Sequence, residues 1–169
     1  MTFYLGTHQP AWLRTFTVPL FISHRRLVSY RSLPAARCHW ALDSGAFSEL
    51  SLYGDWTLTP EQYVKAVRRY RDNIGKLDWA APQDWMCEPQ IIAKTGLSVI
   101  EHQRRTVENC LTLKRLAPDL PLIPVIQGWQ LADYLRCIRL YLRAGVDLRA
   151  ERLRSRAGFN LPPAGQPRY

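Results

Sequence analysis

The sequence predicts a parallel α/β fold. Apolar segments of strand length alternate with segments of helical periodicity along most of the 169 residues. Polar side chains follow successive strand candidates, and right-handed crossovers would bring those strand ends to one rim of the sheet. The length fits one domain, and a composition of 47% hydrophobic and 22% charged residues is typical of a globular chain.

The first two strand candidates are residues 2–6 and 18–22. The first leads into a loop that contains His8, and the second ends on His24 and two arginines. Each histidine has two interpretations: a side chain of a site at the strand ends, or an ordinary loop histidine.

The third strand candidate is the apolar run at residues 40–42, which stops on Asp43. The small residues Ser44, Gly45 and Ala46 come next. The acid can be a cap of a following helix. It can also be a binding or catalytic carboxylate, because such groups collect just past the carboxyl ends of strands in βα folds.

The fourth and fifth strand candidates also lead to polar groups. Residues 77–82 precede Asp84, and residues 122–126 precede Gln127. Neither polar residue is followed at once by an obvious helix start, so simple capping explains them less well. We therefore expect Asp43, Asp84 and Gln127 to face a common site.

A long amphipathic helix is predicted between the third and fourth strands. Thr59 caps its start, Pro60 occupies its first position, and Gly75 ends it. Apolar side chains recur at positions 63, 64, 67, 70 and 74. The basic residues between them are interpreted as a solvated face rather than a nucleic-acid contact.

Two more helices follow. Ser98 and Glu101 form a capping box for a helix that runs to about residue 116, and Glu101, His102 and the two arginines after them are interpreted as surface residues. The next helix, of about 14 residues, stops at Gly145, and residues 146–148 start a sixth strand. The apolar side of that helix consists of Leu131, Tyr134, Leu135, Ile138 and Leu142.

The composition limits the partners and the compartment. A net charge of +9 suggests a polyanionic partner such as nucleic acid, although five arginines and one glutamate place +4 of it in residues 149–169. The four cysteines form no C-x-x-C pair, so we expect reduced, partly buried thiols and neither metal nor cofactor. Without an apolar run of membrane length or a signal peptide, we expect a cytoplasmic protein.

Three motifs resemble those of the queuine tRNA-ribosyltransferases, or tRNA-guanine transglycosylases. Residues 43–47, Asp-Ser-Gly-Ala-Phe, are similar to that family's Asp-Ser-Gly-Gly-Phe motif. Asp84 follows an apolar strand as the family's base-binding Asp does, and residues 125–128, Val-Ile-Gln-Gly, look like its Val-Gln-Gly strand end. The motifs keep the family's order, and the likeness covers residues 2–148. It is closest to transglycosylase-like proteins of actinobacteria and their phages, relatives of enzymes that insert 7-deazaguanines into DNA.

The resemblance implies a TIM-type (β/α) barrel that exchanges a purine base on nucleic acid through a covalent glycosyl-enzyme intermediate. Asp43 would handle the proton of the departing or entering base. The base site would consist of Ser44, Gly45, Asp84, Gln127 and Gly128. A carboxylate suits the N–H groups on the edge of a guanine-like base, and an amide suits the donors and acceptors beside them.

Two tryptophans follow the strand ends of this implied site. Trp85 and Trp129 lie where an aromatic face would receive a base that leaves its stack. Packing in the core or at the rim is the alternative for both.

Three departures from the family pattern affect the expected function. Ala46 replaces a Gly of the first motif, and the zinc-binding Cys/His cluster of the tRNA enzymes is absent, which weakens a tRNA substrate. The family's nucleophilic Asp belongs to the second half of a barrel of about 250 residues and eight strands. With five to six strand candidates, we expect residues 1–148 to form an incomplete barrel that is inactive alone.

Residues 149–169 differ in character from the rest. They are rich in Arg and Pro, show neither strand nor helix periodicity, and resemble a GC-rich sequence read out of frame. We expect a frameshift or truncation near Leu148 and an irregular tail, and the alternative is a natural flexible tail on a small α/β domain.

Other functions stay open at this level. One is a non-catalytic nucleic-acid-binding module that uses basic helix faces and the Arg-rich tail, and another is an unrelated α/β-barrel hydrolase or lyase with carboxylates at its strand ends. DNA, tRNA and a free nucleoside all stay open as substrates. The open edge of an incomplete barrel would also permit self-association.

Overall fold

The computed structural model describes residues 2–150 and has the predicted α/β class. Four parallel strands form one sheet in the order β1-β2-β3-β4. The strands are β1 (Leu5–Thr7), β2 (Leu20–Ser23), β3 (Trp40–Asp43) and β4 (Leu77–Ala80). Because the register pairs Ser23 with Asp43, the polar ends of β2 and β3 lie side by side.

Helices connect and flank these strands. A 3-10 helix spans Pro10–Arg14, and the α-helices are α1 (His24–Leu27), α2 (Ala46–Tyr53), α3 (Pro60–Ile74), α4 (Pro89–Thr95), α5 (Val99–Leu116) and α6 (Leu131–Arg143). The three long helices predicted from periodicity are confirmed as α3, α5 and α6. At the start of α5 the predicted capping box is only half formed. Ser98 accepts from the Glu101 amide, but the Glu101 carboxylate pairs with Arg104 and Arg105 instead of reaching back.

The prediction of a fifth strand at residues 122–126 is wrong for the structure described. A single parallel bridge joins Leu122 to Ala80, through Ala80 N to Pro121 O at 2.9 Å and Ile123 N to Ala80 O at 3.2 Å. The next hydrogen bond of a parallel ladder would run from the amide of residue 82 to Ile123 O, and it cannot form because Pro82 has no N–H group.

The prediction of a sixth strand at residues 146–148 is also wrong. Residues 148–150 are helical. Asp147 Oδ1 accepts hydrogen bonds from the amides of Arg149 and Ala150, at 2.9 and 3.2 Å, as a helix cap does. Most of the expected C-terminal tail, residues 151–169, lies outside the described residues.

The two faces of the sheet differ. One face is buried against α3, and its main cluster contains Leu20, Ile22, Trp40, Tyr63 and Tyr70. The other face carries half-buried aromatic side chains, with the Trp79 ring 5.5 Å from Tyr4 and 5.3 Å from Phe21 between centroids. Helices on one face and large side chains on the other are compatible with an arc of a barrel.

A second cluster lies between α5 and α6. It includes Cys110, Cys137 and Tyr141, all with no exposed surface. The outer side of α6 is different, because Leu131, Leu135 and Leu142 are 75%, 45% and 56% exposed. The predicted apolar side of this helix is therefore largely uncovered in the described part of the chain.

The cysteines agree with the sequence analysis. All four are free, with Cys38 half-buried and Cys87, Cys110 and Cys137 buried. Within residues 2–150, no helix combines the length and the apolar character that a membrane crossing requires.

Candidate functional site

Side chains that follow β3, β4 and the bridged segment at residues 122–126 meet at Asp84. Ser44, just after β3, donates its hydroxyl to Asp84 Oδ1 at 2.7 Å, and Gln127 donates its amide Nε2 to Asp84 Oδ2 at 2.5 Å. The Trp56 indole also donates to the Asp84 carbonyl at 3.2 Å. The polar groups that the sequence placed at the third, fourth and fifth strand ends are thus brought together.

Asp84 is a buried carboxyl group. The residue is 6% exposed, and its burial raises its pKa to about 6, with the nearby Asp43 adding to the effect. The hydrogen bonds from Ser44 and Gln127 act in the opposite direction because they stabilise the charged form. The site therefore holds a carboxylate that takes up a proton much more readily than an exposed Asp.

Asp43 lies beside this group at the end of β3. Burial raises its pKa, while hydrogen bonds from the Ser23 side chain and from the Gly45 and Ser44 amides lower it. Its Oδ2 accepts the Gly45 amide at 3.1 Å, and Gly45 is the N-cap residue of α2. Asp43 thus supports the helix start without being its N-cap residue. Its role as a binding or catalytic carboxylate stays a prediction.

Ser44 and Gly45 form a tight turn under the two carboxylates. Ser44 is fully buried, and its oxygen also lies 3.3 Å from the Ala46 amide as an acceptor. Gly45 has a φ of 86°, and a Cβ there would lie 2.7 Å from Arg25 Cγ. Only Gly fits this turn without moving the arginine.

The structure gives a packing reason for a glycine at position 128, which the sequence did not reveal. A Cβ at this position would lie 2.8 Å from both Asp133 Cβ and the Tyr134 amide at the start of α6. The close approach that the glycine permits in this structure is therefore to a helix. The approach of a base to Gly128 stays a prediction.

The two tryptophans have different surroundings. Trp85 is 4% exposed, packs with Leu50 and Ile91, and has the Arg105 guanidinium 4.5 Å from its ring centroid. Trp129 is 57% exposed. Packing therefore accounts for Trp85, and stacking of a base on Trp129 stays a prediction.

Two histidines lie in places that the sequence analysis misjudged. His24 is 1% exposed, with Nδ1 3.0 Å from the Tyr70 hydroxyl, and burial lowers its pKa to about 4. His102 is fully buried, with Nδ1 2.6 Å from Met86 O and Nε2 2.8 Å from Thr95 Oγ1. Neither is a loop or surface residue, whereas His8 is exposed as a loop histidine is.

Other residues that support the site gave no sequence signal of their own. Gln103, fully buried, donates to Gln127 O at 2.8 Å and to Asp133 O at 2.7 Å. Thr106 Oγ1 accepts the Trp85 amide at 2.8 Å. The sequence did show that His102, Gln103 and Thr106 lie along one side of α5. Polar residues at that spacing are also typical of a helix side that faces solvent, so the spacing alone did not indicate a role in the site.

Within residues 2–150, no three or more His, Cys, Asp and Glu side chains are arranged to hold a metal ion. The chemistry available from the described residues is that of two neighbouring carboxyl groups with raised pKa values, Asp84 buried and Asp43 half-buried, together with one amide and one hydroxyl. Such a set can recognise N–H donors and move a proton.

One protein family matches most of the chain. The family model for DpdA, deoxypurine in DNA protein A, matches residues 1–158. A search of the curated proteins and a search of the solved structures each found no match. The chain therefore belongs to the DpdA family, a 7-deazaguanine DNA-modification family related to the tRNA-guanine transglycosylases.

Proposed function

We propose that this chain takes part in the exchange of guanine for a 7-deazaguanine in DNA and supplies the part of the site that recognises the base. The observation that carries the proposal is the buried Asp84 carboxylate held between Ser44 Oγ and Gln127 Nε2. Membership of the DpdA family supports DNA as the substrate.

The arrangement around Asp84 suits a guanine-like edge. Each carboxylate oxygen has two acceptor positions, and Ser44 and Gln127 occupy one on each oxygen. The remaining positions can accept two neighbouring N–H groups of the base. The two protein donors fix the plane of the carboxylate before the base arrives, which reduces the ordering cost of binding.

Asp43 is the proposed proton carrier of the exchange. A protein carboxylate attacks C1′ while the C1′–N9 bond breaks, and the departing guanine takes a proton from Asp43. The entering base then gives its N9 proton to Asp43, and that nitrogen attacks C1′ and displaces the protein carboxylate. The raised pKa of Asp43 suits both proton transfers.

The attacking carboxylate is proposed to lie outside the described residues. Asp84 is bound by Ser44 and Gln127, and Asp43 is assigned to the proton. The resemblance to the transglycosylases places their nucleophilic Asp in the second half of the barrel. We therefore propose that the isolated chain recognises the base but does not complete the exchange.

A DNA-binding module that works through the basic helix faces is less well supported. On α3, Arg68 and Arg71 both pair with Asp119, at 2.7 and 2.8 Å. On α5, Arg104 and Arg105 both pair with Glu101. These surface acids offset the positive charge that such a module would need.

Base recognition is tested by titration calorimetry with 7-deazaguanine. Asp84→Asn turns an acceptor into a donor that faces the base, so we expect it to weaken binding by about 1–3 kcal/mol. Asp78→Asn is the matched control, because Asp78 lies in β4, the strand that precedes Asp84, but pairs with Tyr4 and His39. Equal affinity of Asp84→Asn and the wild type would remove Asp84 from the base site.

Base exchange is tested by offering labelled guanine or 7-deazaguanine together with duplex DNA or tRNA. We expect no incorporation by the isolated 169-residue chain, because the two carboxylates of the site, Asp43 and Asp84, have other roles in the proposed exchange. Turnover that Asp43→Ala abolishes would contradict this expectation. A nucleophile would then have to be sought among Asp84, Glu88 and Asp147.

A further inference from the structure

An arginine lies against the turn that carries the candidate site. Arg25 follows the end of β2, and its Cγ and Cδ lie 2.7 and 3.5 Å from the position that a Cβ of Gly45 would take. The stem of Arg25 therefore packs directly on the residue after Asp43 and Ser44. Neither the proposed base recognition nor the proposed proton transfer involves this side chain.

A buried carboxylate fixes the position of Arg25. Glu49, which is fully buried, accepts from Arg25 Nη1 at 2.8 Å through Oε1, while Oε2 accepts the Thr57 amide at 2.9 Å and the Thr57 hydroxyl at 2.5 Å. Burying a carboxylate is unfavourable unless it is paired and hydrogen-bonded. Both oxygens of Glu49 are engaged, so the guanidinium is held in one place.

The rest of the guanidinium stays available. A guanidinium has five N–H donors, and within residues 2–150 Arg25 bonds to protein only through Nη1. Its side chain is 31% exposed. The next residue, Arg26, is exposed and makes no ion pair within the same part of the chain.

This pair differs from the surface pairs of α3 and α5. The acid partner of Arg68 and Arg71, Asp119, is itself 44% exposed, so it faces any approaching anion. Glu49 has no exposed surface, so an anion that reaches Arg25 meets guanidinium N–H groups and does not meet the carboxylate that pairs with them. A guanidinium with free N–H groups can bind phosphate through two parallel hydrogen bonds.

We propose that Arg25 binds the phosphodiester next to the target nucleotide, and that Glu49 acts as its positioning residue. A nucleotide carries its base and its phosphate on one sugar, so a cation at the turn beside Asp43 and Ser44 is placed for this contact. The inference rests on the proposed function, because it takes a DNA strand as the ligand.

The test measures binding of a fluorescent single-stranded DNA oligonucleotide with one guanine, by anisotropy, across a range of salt concentrations. Arg25→Gln removes one phosphate contact, so we expect binding to weaken about tenfold and the log–log salt slope to fall by about 0.7. Arg25→Lys keeps the charge and should keep the slope. Arg71→Gln is the matched control, since Arg71 has a similar side-chain exposure of 33% but a solvated acid partner.

A second measurement changes the DNA first and the protein only afterwards. The phosphodiester on one side of the guanine, and in a second oligonucleotide the phosphodiester on its other side, is replaced by a neutral methylphosphonate. We expect one of these two replacements to weaken wild-type binding as Arg25→Gln does. Combining that linkage with Arg25→Gln should cause little additional loss, because both changes remove the same contact. Even if Arg25→Gln does not fold by circular dichroism, wild-type binding that neither methylphosphonate weakens would refute a phosphate contact beside the guanine.

The outcomes separate the two proposals. If the wild type binds DNA but Arg25→Gln and the methylphosphonates leave the slope unchanged, or if Arg71→Gln lowers it equally, the role of Arg25 is refuted and the proposed function stands. If the wild type binds neither DNA nor 7-deazaguanine, the proposed function fails and the role of Arg25 fails with it.

Discussion

Asp84 gives the site a pH dependence that can be measured in folding as well as in binding. Its pKa in the folded chain is about 6, against 3.8 for an ordinary Asp. The folded state therefore binds this proton more tightly than the unfolded chain does. It follows that the contribution of Asp84 to stability falls as pH rises from about 4 to about 6 and is constant above that range.

We expect the free energy of unfolding of Asp84→Asn, relative to the wild type, to increase by on the order of 2–3 kcal/mol between pH 4 and pH 7. The prediction concerns the difference in free energy of unfolding between the two proteins, because His24 is present in both and has its own effect. With a pKa lowered to about 4, His24 makes each protein more stable as pH rises through the same range. Urea unfolding at several pH values provides the measurement. If the difference in free energy of unfolding between Asp84→Asn and the wild type did not change with pH, Asp84 would have an ordinary pKa.

The substitution Gly128→Ala tests how closely residue 128 packs against α6. We expect Gly128→Ala to lower the free energy of unfolding by about 1–3 kcal/mol, because its methyl group would overlap the backbone at the start of α6. Gly6→Ala is the control, since a Cβ at Gly6 meets nothing within 4 Å. Equal urea midpoints for the two variants would show that the segment at Gly128 can move away from α6.

At the scale of elements, α5 is the helix that holds the site in place. Its buried polar side contacts two neighbouring segments: His102 contacts Met86 O and Thr106 accepts the Trp85 amide in one, and Gln103 donates to Gln127 O in the other. The segments that carry Asp84 and Gln127 are thus fixed by the same helix. A change on α5 should therefore affect the base site without touching the base.

We expect Gln103→Leu to lower stability by about 1–3 kcal/mol, because two backbone carbonyls lose their donor, and to weaken 7-deazaguanine binding by freeing Gln127. Gln90→Leu on α4 is the control, since Gln90 is exposed. Urea unfolding and calorimetry on both variants separate the two effects. If Gln103→Leu lost stability but kept full base affinity, Gln103 would be structural and would not position Gln127.

At the scale of the whole molecule, the described part of the chain has one uncovered side. The outer side of α6 exposes Leu131, Leu135 and Leu142, and residues 123–126 beyond β4 are only half-buried. An apolar helix side next to an unpaired edge favours association. We propose that copies of the isolated chain associate through this side.

We expect the double variant Leu131→Ser with Leu135→Ser to stay monomeric at concentrations where the wild type associates, because it removes the two apolar side chains nearest the start of α6. Sedimentation velocity over a wide concentration range gives the measurement. Leu52→Ser on α2 is the control, since Leu52 is 57% exposed away from α6. Association that persists in the double variant would exclude the α6 side as the contact.

The sequence by itself determined the features that depend on neighbours along the chain. The helix α3 was predictable because its cap at Thr59, its Pro60 and its apolar spacing all act within a few residues. The strand ending on Asp43 was predictable for the same reason, since an apolar run followed by Ser and Gly is a local pattern. The three motifs of the resemblance are also local, and the match to the DpdA family extends over residues 1–158.

Only the tertiary structure decided what depends on contacts across the chain. The bonds from Ser44 and Gln127 to Asp84 join residues 40 and 43 positions apart. No local pattern shows that Trp85 is buried under Arg105, or that Gly128 lies against α6. The burial of His24 and His102 and the short pairing of residue 122 with β4 have the same physical reason. Burial and strand pairing depend on which segments meet, and periodicity records only which side of a segment is apolar.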